Sequence, residues 1–251
     1  MKENQEKIIN DLVYYEGLKI VQNKSYFNFS LDSVLLPNFV EITPNTKNIL
    51  DICTGNAPIP LILSTKTKAK IIGVEIQKEI FELAEESVKI NNIKNVDLLN
   101  MDAKKLVEKY DTDTFDIITC NPPYFEYSKD SKINNNDVKS IARHEIYLKL
   151  EDVIKISKKL LKNGGSLNIV HRTDRFIEII DLLKKNNLEP KRIRFVYPKK
   201  DYESNLVLID ARKNARKGLK LLPPLFVHNE DGLYTDEVIR MFGNGNDTKK
   251  L

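Results

Sequence analysis

Short apolar runs that alternate with amphipathic segments constrain the fold of this chain more than any other feature. Runs with the β-branched composition of buried strands cover residues 48–53, 70–76, 96–100, 115–120 and 166–171. Between them, residues 77–91 and 150–161 carry apolar side chains at helical spacing. Strands that alternate with helices of this length are typical of βαβ units. The sequence therefore predicts an α/β fold of the Rossmann-like kind, with helices on both faces of a mostly parallel sheet.

The two ends of the chain depart from that alternation. Residues 18–30 predict a β-hairpin, and residues 31–42 predict a helix that is kinked by Pro37. Towards the other end, residues 192–198 and 205–213 have the pattern of two long strands. We expect these two strands to form an antiparallel pair at the edge of the sheet.

The chain is long enough for one large α/β domain with an elaboration. We expect an N-terminal extension over residues 1–45, packed on a core domain over residues 46–251, as a single compact unit. Residues 126–140 are polar and lack periodicity, so they predict a long loop within that core.

Composition narrows the class of protein. With 41% hydrophobic and 30% charged residues over 251 positions, the chain has the balance of a soluble globular protein. Cys53 and Cys120 are its only cysteines, which excludes a disulfide framework and an all-cysteine zinc site. The three histidines are widely spaced, so no metal site is predicted. No apolar run approaches the roughly 20 residues that span a bilayer, and no signal peptide is evident. We expect a cytoplasmic protein without a membrane partner.

The turn after the first predicted strand carries the first candidate site. Asp51 lies near the end of that strand, Gly55 lies in the turn, and Glu75 follows 24 positions after Asp51. A glycine lets backbone approach a ligand closely, and an acid at this interval accepts hydrogen bonds from ribose hydroxyls. Cys53 and Ala57 stand where a pyrophosphate-binding turn would have further glycines, so NAD is disfavoured. S-adenosylmethionine has no phosphate and suits this turn better, and a purely structural strand–turn–helix is the alternative.

The segment Asn121-Pro122-Pro123-Tyr124 follows the strand predicted at residues 115–120 and is the most specific signal in the chain. Two prolines fix the backbone and remove two N–H donors. The Asn121 side-chain oxygen and the Pro122 carbonyl are then available to accept hydrogens from an amino group, and Tyr124 can stack on a planar substrate. Two such acceptors localise the lone pair of an exocyclic or amide nitrogen, so the motif predicts N-methylation. The alternative is an ordinary Pro-Pro turn capped by Asn121.

Two groups of charged residues are candidates for substrate binding. Arg143, His144 and Glu145 follow the polar loop and could bind a substrate or close the site, although taken alone they are better explained by a buried ion pair with a satisfied histidine than by catalysis. Between Lys184 and Lys220, twelve Lys and Arg occur with four Asp and Glu, in a chain whose net charge is +4. This basic cluster fits a phosphate backbone, and a solvated lysine-rich face is the alternative.

At these motifs the chain resembles class I S-adenosylmethionine-dependent methyltransferases, in particular the bacterial tRNA(Val) adenosine-37 N6-methyltransferases. The similarity runs from about residue 12 to about residue 242 and is carried by YFNFSLDSVLLPNF, ILDICTGNAPIPLIL, IIGVEIQ, ITCNPPYF, ARHE, LLKNGGSLNIVHR, LLPPLFVH and GLYTDEV. The NPPY motif also occurs in N-methyltransferases that act on DNA, rRNA and protein glutamine. The FSLDSVLL and ARHE stretches are what narrow the family.

The resemblance implies a role for each candidate residue. The cofactor S-adenosyl-L-methionine, with S-adenosyl-L-homocysteine as product, would be bound by Asp51, Thr54, Gly55, Asn56, Glu75, Asp102, Ala103 and Asn121. Catalysis by direct in-line transfer would involve Asn121, Pro122 and Tyr124. Phe27, Phe29 and Asp32 would close the pocket for the target adenine, and Pro123, Phe125, Arg143 and His144 are further candidates for substrate binding. The charge pattern, rather than the resemblance, adds Arg212, Lys213, Arg216 and Lys217 as residues that would bind the tRNA backbone. The departure from the family pattern is Cys53 and Ala57, where more distant members carry glycine.

Three alternatives to tRNA methylation stay open. A protein glutamine would need no basic face on the enzyme, and a DNA or rRNA base is also compatible with the motif. A DNA enzyme usually needs a separate recognition domain, for which 251 residues leave little room. A non-enzymatic module that binds S-adenosylmethionine and RNA would not need two converging acceptors. The sequence specifies neither the particular tRNA nor whether the protein is a monomer or a homodimer.

Overall fold

The computed structural model of the protein describes residues 7–12, 17–24, 30–122 and 148–243. Its strands are β1 (Lys7–Asp11), β2 (Lys19–Asn23), β3 (Asn48–Ile52), β4 (Lys70–Glu75), β5 (Val96–Asn100), β6 (Phe115–Cys120), β7 (Leu161–Arg172), β8 (Leu188–Lys199), β9 (Leu206–Lys213), β10 (Lys220–Leu221) and β11 (Leu225–His228). Its α-helices are α1 (Asp32–Phe39), α2 (Pro58–Lys66), α3 (Lys78–Ile90), α4 (Leu106–Lys109), α5 (Leu150–Leu160), α6 (Phe176–Lys185) and α7 (Asp236–Met241). Short 3-10 helices cover Ala103–Lys105 and Thr173–Arg175.

A nine-stranded sheet runs through the centre of the described residues, in the order β10-β8-β9-β7-β6-β3-β4-β5, and β11 also pairs with β8. Strand β9 is antiparallel to β7 and β8, and the other pairs of this sheet are parallel. The predicted Rossmann-like fold with an antiparallel pair is therefore confirmed. Beyond this pair lie two strands that were not predicted, β10 and β11. Both pair with β8 and cover backbone groups that β8 would otherwise expose at the edge of the sheet.

The sheet buries apolar side chains on both faces. In β3, Leu50 and Ile52 belong to one hydrophobic cluster and Ile49 belongs to the other. In β6, Ile118 packs in the first cluster and Ile117 in the second. Successive residues of a strand point to opposite faces, so a strand covered on both sides reads as a continuous apolar run. This is why the parallel strands were recognisable in the sequence.

Strand β7 begins earlier than the sequence predicts. Helix α5 ends at Leu160 and β7 begins at the next residue, whereas the expected strand began at residue 166. Along the added residues of β7, the pairing with β6 is irregular: Phe115 lies opposite Leu161, whereas Ile117 lies opposite Ser166. Gly165 lies here, and a Cβ atom at this position would be 3.0 Å from the Asp116 carbonyl oxygen. The missing side chain therefore lets an irregular strand continue where the sequence pattern favours a loop.

The N-terminal residues form an antiparallel hairpin of β1 and β2, followed by α1. The helix contains Pro37 and ends at Phe39 rather than at the predicted residue 42. Strand β1 was not predicted, and residues 25–29 of the predicted hairpin lie outside the described residues. The division of the chain at residue 45 stays a prediction. Within the described ranges, no helix is long and apolar enough to cross a membrane.

Candidate functional site

Three polar side chains lie where neighbouring strands of the sheet end. Asp51 is the second-to-last residue of β3, Glu75 is the last residue of β4, and Asn121 directly follows β6. Strand β3 pairs in parallel with both β4 and β6. The carboxyl ends of parallel strands share one edge, where ligands bind in doubly wound sheets. The structure therefore brings the two predicted acids and the predicted catalytic asparagine to one edge.

Asp51 is a fully buried carboxyl group with two hydroxyl partners. Thr54 Oγ1 donates to its Oδ2 and Thr119 Oγ1 donates to its Oδ1, each at 2.6 Å. Burial raises the pKa of Asp51 to about 7, the two hydroxyl groups oppose the rise, and the charge of Glu75 adds to it. Loss of hydration disfavours the charged form more than two neutral donors favour it. A cationic ligand beside Asp51 would lower this pKa again.

The turn after β3 has left-handed backbone at three alternate positions. The φ angle is +61° at Cys53, +58° at Gly55 and +71° at Ala57. This conformation suits glycine and costs other L-residues roughly 1 kcal/mol or more. Cys53 and Ala57, the two departures from a glycine-rich turn, therefore adopt the backbone that glycine would adopt. The shape of the turn is retained with local strain at two residues.

Glu75 reaches back to the same turn. Its Oε2 accepts from the Gly55 N–H and its Oε1 accepts from the Gln77 N–H, each at 3.0 Å. Burial raises the pKa of the Glu75 carboxyl, and the backbone donors counteract part of this rise. Gly73 lies two residues before Glu75, and a Cβ atom there would be 2.9 Å from Thr54 Oγ1. The absence of a side chain at Gly73 thus lets the turn pack closely on β4.

The predicted adenine-binding residues follow the end of β5. Asp102 Oδ1 accepts from the Lys104 N–H at 2.9 Å and caps the 3-10 helix that begins at Ala103. Ala103 is buried. The Met101 N–H donates to the Glu75 carbonyl oxygen at 3.1 Å. This bond holds the end of β5 beside the end of β4, so Asp102 and Ala103 lie at the same edge as Glu75.

Asn56 connects the turn to the N-terminal hairpin. Its Nδ2 donates to the Val21 carbonyl oxygen at 3.0 Å, and the Val21 N–H donates to Ser87 Oγ of α3 at 2.9 Å. Asn56 is buried. The side chains of Asn56 and Thr54 both bind groups within the protein, so each of them holds the shape of the turn.

Asn121 and Pro122 are the described part of the predicted N-methylation motif. Asn121 is half-buried and its Nδ2 donates to Ser33 Oγ of α1 at 3.1 Å, while Pro122 is buried. Asp32, the neighbour of Ser33, is buried and accepts a hydrogen bond from the Ser30 hydroxyl. The loop predicted at residues 126–140 lies outside the described residues. So do the remaining predicted residues of the motif and of the substrate site, which are Pro123, Tyr124, Phe125, Phe27, Phe29, Arg143 and His144.

The structure separates four residues of the basic cluster, the predicted tRNA-binding residues Arg212, Lys213, Arg216 and Lys217, from Asn121. Arg212 lies opposite Ser166 in the β7–β9 register, and Ser166 lies opposite Ile117 in β6. At about 3.3 Å per residue, this level is about 13 Å along the strands from Asn121. Because β9 runs against its neighbours, Arg212 and the residues after it lie towards the amino ends of the parallel strands. The two predicted parts of the substrate site are thus not adjacent.

Two of the four predicted tRNA-binding residues in the basic cluster are engaged in ion pairs. Arg212 contacts Glu41 at 2.9 Å, and Lys213 contacts Asp113 at 2.8 Å. Arg216 and Lys217 are exposed in the segment after β9. These last two positions are therefore more accessible to a polyanion than the first two.

Neither Cys53 nor Cys120 forms a disulfide, although both contribute to the same hydrophobic cluster. Within the parts of the chain that the structure describes, no group of three or more His, Cys, Asp or Glu could hold a metal ion. The prediction that the protein uses no metal stays a prediction.

Thr119 and Ser33 contact site residues and were not identified from the sequence. Thr119 lies opposite Asp51 in the strand register, so aligning the two predicted strands could have identified it. Ser33 carries no comparable signal, because 88 positions separate it from Asn121. Only packing of α1 against the end of β6 brings them together.

The fold and this edge of the sheet define a class I methyltransferase: a Rossmann-like sheet with one antiparallel strand, a buried acid in the first core strand and a second acid ending the next. The family model described as a methyltransferase domain matches residues 44–215, and the chain belongs to this family.

Similar proteins agree with this class. A tRNA1(Val) (adenine(37)-N6)-methyltransferase of Cytophaga hutchinsonii is 25% identical over 240 residues, which cover 93% of this chain and 98% of the relative. A release factor glutamine methyltransferase of Aliivibrio fischeri is 31% identical over 137 residues, which cover 52% of this chain and 47% of that protein. Among solved structures, a predicted O-methyltransferase of Agrobacterium tumefaciens is similar with a TM-score of 0.66 and 18% identity, over 84% of this chain and 96% of that one.

Proposed function

We propose that the protein methylates N6 of adenosine 37 in the anticodon loop of a tRNA, with valine tRNA as the first candidate and S-adenosylmethionine as the methyl donor. The observation that carries this proposal is the position of Asn121-Pro122 at the carboxyl end of β6, beside the strand that contains Asp51. The match to the Cytophaga hutchinsonii enzyme also supports it, because a match over 93% of this chain extends beyond the predicted core at residues 46–251 into the N-terminal extension.

S-adenosylmethionine fits the charges of the site. Its ammonium and sulfonium groups are cations, and the site contains two buried carboxyl groups whose pKa values are raised, Asp51 and Glu75. A nearby cation favours the ionised form of both groups. Asp51 and the turn at residues 54–56 would hold the methionine end, Glu75 the ribose, and Asp102 with Ala103 the adenine.

When bound, the cofactor supplies an activated methyl group, and its sulfonium becomes a neutral thioether on transfer. The residues of this chain bind and orient the target base. Asn121 Oδ1 and the Pro122 carbonyl oxygen would accept the two N6 hydrogens, and Tyr124 would stack on the adenine. These contacts would localise the nitrogen lone pair and align it for in-line attack. The N–CH3 bond would form as the S–CH3 bond breaks, and N6 would then lose one proton to water. Positioning and electrostatics would supply the acceleration without a protein nucleophile.

The target base has to leave its stack before it can reach the edge of the sheet. Unstacking is less costly in an anticodon loop than in a duplex, because no base pair is broken. The exposed residues Arg216 and Lys217 would contact phosphates of the tRNA outside the loop. A tRNA-modifying enzyme of this kind would act in the cytoplasm.

Methylation of a protein glutamine is the second candidate. The observation that favours it is the 31% identity to the glutamine methyltransferase of Aliivibrio fischeri, which exceeds the 25% identity to the tRNA enzyme. This similarity covers about half of each chain, whereas the match to the tRNA enzyme covers 93% of this chain. A glutamine amide would use the same two acceptors.

The deciding experiment measures methyl transfer from labelled S-adenosylmethionine to total tRNA, release factor and duplex DNA in parallel. The tRNA is then digested to nucleosides and analysed by mass spectrometry, and a valine tRNA transcript with guanosine at position 37 serves as the site control. N6-methyladenosine in tRNA, lost in the position-37 variant, is the expected result. Label in release factor would replace the proposal with glutamine methylation, and label in neither substrate would contradict both.

A further inference from the structure

We propose that Ser33 is a positioning residue for methyl transfer. Its hydroxyl group fixes the rotation of the Asn121 side-chain amide and thereby directs Oδ1 towards the target amine. The inference rests on the N-methyl transfer proposed above. Its structural basis is the hydrogen bond from Asn121 Nδ2 to Ser33 Oγ at 3.1 Å, which joins the N-terminal extension to the end of β6.

The rotation of the amide matters because its two ends have opposite hydrogen-bonding roles. Oδ1 is an acceptor and Nδ2 carries two donors, although the two ends have nearly the same shape. A target amine presents N–H donors, so it binds only to Oδ1. The last torsion of an asparagine side chain is broad and roughly two-fold, and the backbone of Asn121 therefore does not select one end. A serine hydroxyl can accept as well as donate, and in this structure Ser33 Oγ accepts from Nδ2. This contact holds the amide in the rotation that leaves Oδ1 at the other end.

Ser33 is held firmly enough to act as that partner. Ser33 is only 6% exposed, and its backbone N–H donates to the Ser30 carbonyl oxygen at 3.0 Å. The three residues that follow it in α1, Val34, Leu35 and Leu36, are fully buried. A helix with apolar side chains on most of its faces is enclosed by its surroundings. The Ser33 hydroxyl therefore stays beside the end of β6.

The same extension also contacts the cofactor turn, through the hydrogen bond from Asn56 to the Val21 carbonyl oxygen at 3.0 Å. The extension thus reaches the two halves of the site by separate contacts. Asn56 and Ser33 make separate contacts, so measuring the cofactor affinity distinguishes a change on the target side of the site from a change in the turn.

The test compares Ser33→Ala, Ser33→Thr and a matched control, Ser64→Ala, in the full-length protein. Ser64 is a half-buried helix serine whose hydroxyl binds the Leu61 carbonyl of its own helix at 2.7 Å. We expect Ser33→Ala to lower the single-turnover rate of methylation about tenfold, the size expected for one hydrogen bond. The dissociation constant of S-adenosylmethionine and the KM for the methyl acceptor should stay within about twofold, and Ser33→Thr, which retains the hydroxyl, should restore the rate.

A second readout does not depend on turnover. The side-chain amide signal of Asn121, assigned by its absence in Asn121→Asp, should shift and exchange faster with water in Ser33→Ala but not in Ser64→Ala. An unchanged rate in Ser33→Ala, a rate loss matched by an equal loss of cofactor affinity, or a folded Ser33→Thr variant without recovery would each overturn the inference. If the wild-type protein labels no acceptor, the proposed function fails, and an unchanged Asn121 signal in Ser33→Ala then overturns the positioning contact as well.

Discussion

Thr119 donates a 2.6 Å hydrogen bond to the buried carboxyl group of Asp51 across the β3–β6 pair. The two residues are direct partners in the register of these strands. Thr54 provides a second hydroxyl at the same distance from the other carboxyl oxygen. Hydroxyl groups of the protein thus take the place of water around the acid that precedes the turn at residues 53–57, and the charge state of this acid depends on them.

Thr119→Val should destabilise the protein, more at pH 8 than at pH 5. Valine has nearly the shape of threonine but no donor, and a hydrogen bond to an ionised carboxylate contributes about 1.5–3 kcal/mol, compared with about 1 kcal/mol for a neutral bond. Urea unfolding at both pH values measures the difference. Thr114→Val is the control, because the Thr114 hydroxyl binds the Asp111 carbonyl oxygen at an exposed position. An equal loss at pH 5 and pH 8 in Thr119→Val, or the same pH dependence in Thr114→Val, would contradict the prediction.

Asp51 should make the protein less stable as the pH rises from about 4 to about 7. Its pKa is about 7 in the folded protein and 3.8 without the fold. Between these values the folded state holds a proton that the unfolded state has lost, so the free energy of unfolding falls by about 1.4 kcal/mol per pH unit from this group. Above the folded pKa the effect no longer changes with pH.

Asp51→Asn isolates this contribution from that of His171. Burial lowers the pKa of His171 from 6.5 to about 4, so this group makes stability rise with pH over the interval between those values. The two residues therefore oppose each other in the wild-type protein. Urea unfolding from pH 4.5 to 8.5 should show that Asp51→Asn gains stability relative to the wild type as the pH rises to 7. Asp116→Asn, at a carboxyl group with a lowered pKa, should show no such trend above pH 5.

Ala57→Gly should leave the free energy of unfolding unchanged or raise it by up to about 1 kcal/mol. Ala57 has a φ angle of +71°, and glycine removes the strain of a left-handed alanine while adding backbone entropy to the unfolded state. The control is Ala84→Gly in the middle of α3, where the same exchange should cost about 1 kcal/mol. Thermal and urea unfolding of both variants give the comparison, and a loss at Ala57 as large as that at Ala84 would disprove the strain.

Asn121→Ala should abolish methyl transfer and leave cofactor binding nearly intact. The variant lacks the acceptor that the proposed mechanism requires, while Asp51 and Glu75 retain their contacts with the turn. Single-turnover labelling measures transfer, and calorimetry measures the affinity for S-adenosylmethionine. A normal rate in this variant would refute polarisation of the target amine.

Arg216→Ala combined with Lys217→Ala should weaken tRNA binding and flatten its dependence on salt. The slope of log K against log salt is negative, and each lost phosphate contact reduces its magnitude by about 0.7–0.9. Lys89→Ala with Lys94→Ala removes the same charge from exposed positions near the β5 edge and should leave the slope unchanged. Arg212 and Lys213 are omitted, since their ion pairs with Glu41 and Asp113 would confound the result. Identical slopes in the two double variants would assign Arg216 and Lys217 to a solvated face.

Elements buried on both faces could be predicted from the sequence, and marginal ones could not. Strands β3, β4 and β6 read as apolar runs because both of their faces are covered. Strand β10 has two exposed residues, and its existence depends on the backbone edge that β8 offers. Local composition contains no information about such an edge, so β10 and β11 were missed.

The candidate site divides in the same way. Asp51, Glu75 and Asn121 could be identified because each follows the pattern of a strand end, and the carboxyl ends of parallel strands meet by construction. The left-handed backbone at Cys53 and Ala57 could not, because their residue types disfavour it and only the surrounding turn imposes it. Clustering of Arg212, Lys213, Arg216 and Lys217 in the sequence likewise said nothing of which end of the sheet they occupy.

The sequence by itself determined the class of fold and the edge at which the acids and the asparagine assemble. Hydrophobic periodicity is a local property of the sequence, and the carboxyl ends of parallel strands lie at one edge of the sheet. The tertiary structure alone decided which groups meet those side chains. Thr119 reaches Asp51 through the strand register, and Ser33 reaches Asn121 across 88 positions through the packing of α1. Contacts of this kind depend on how whole elements pack, and no pattern within either segment specifies them.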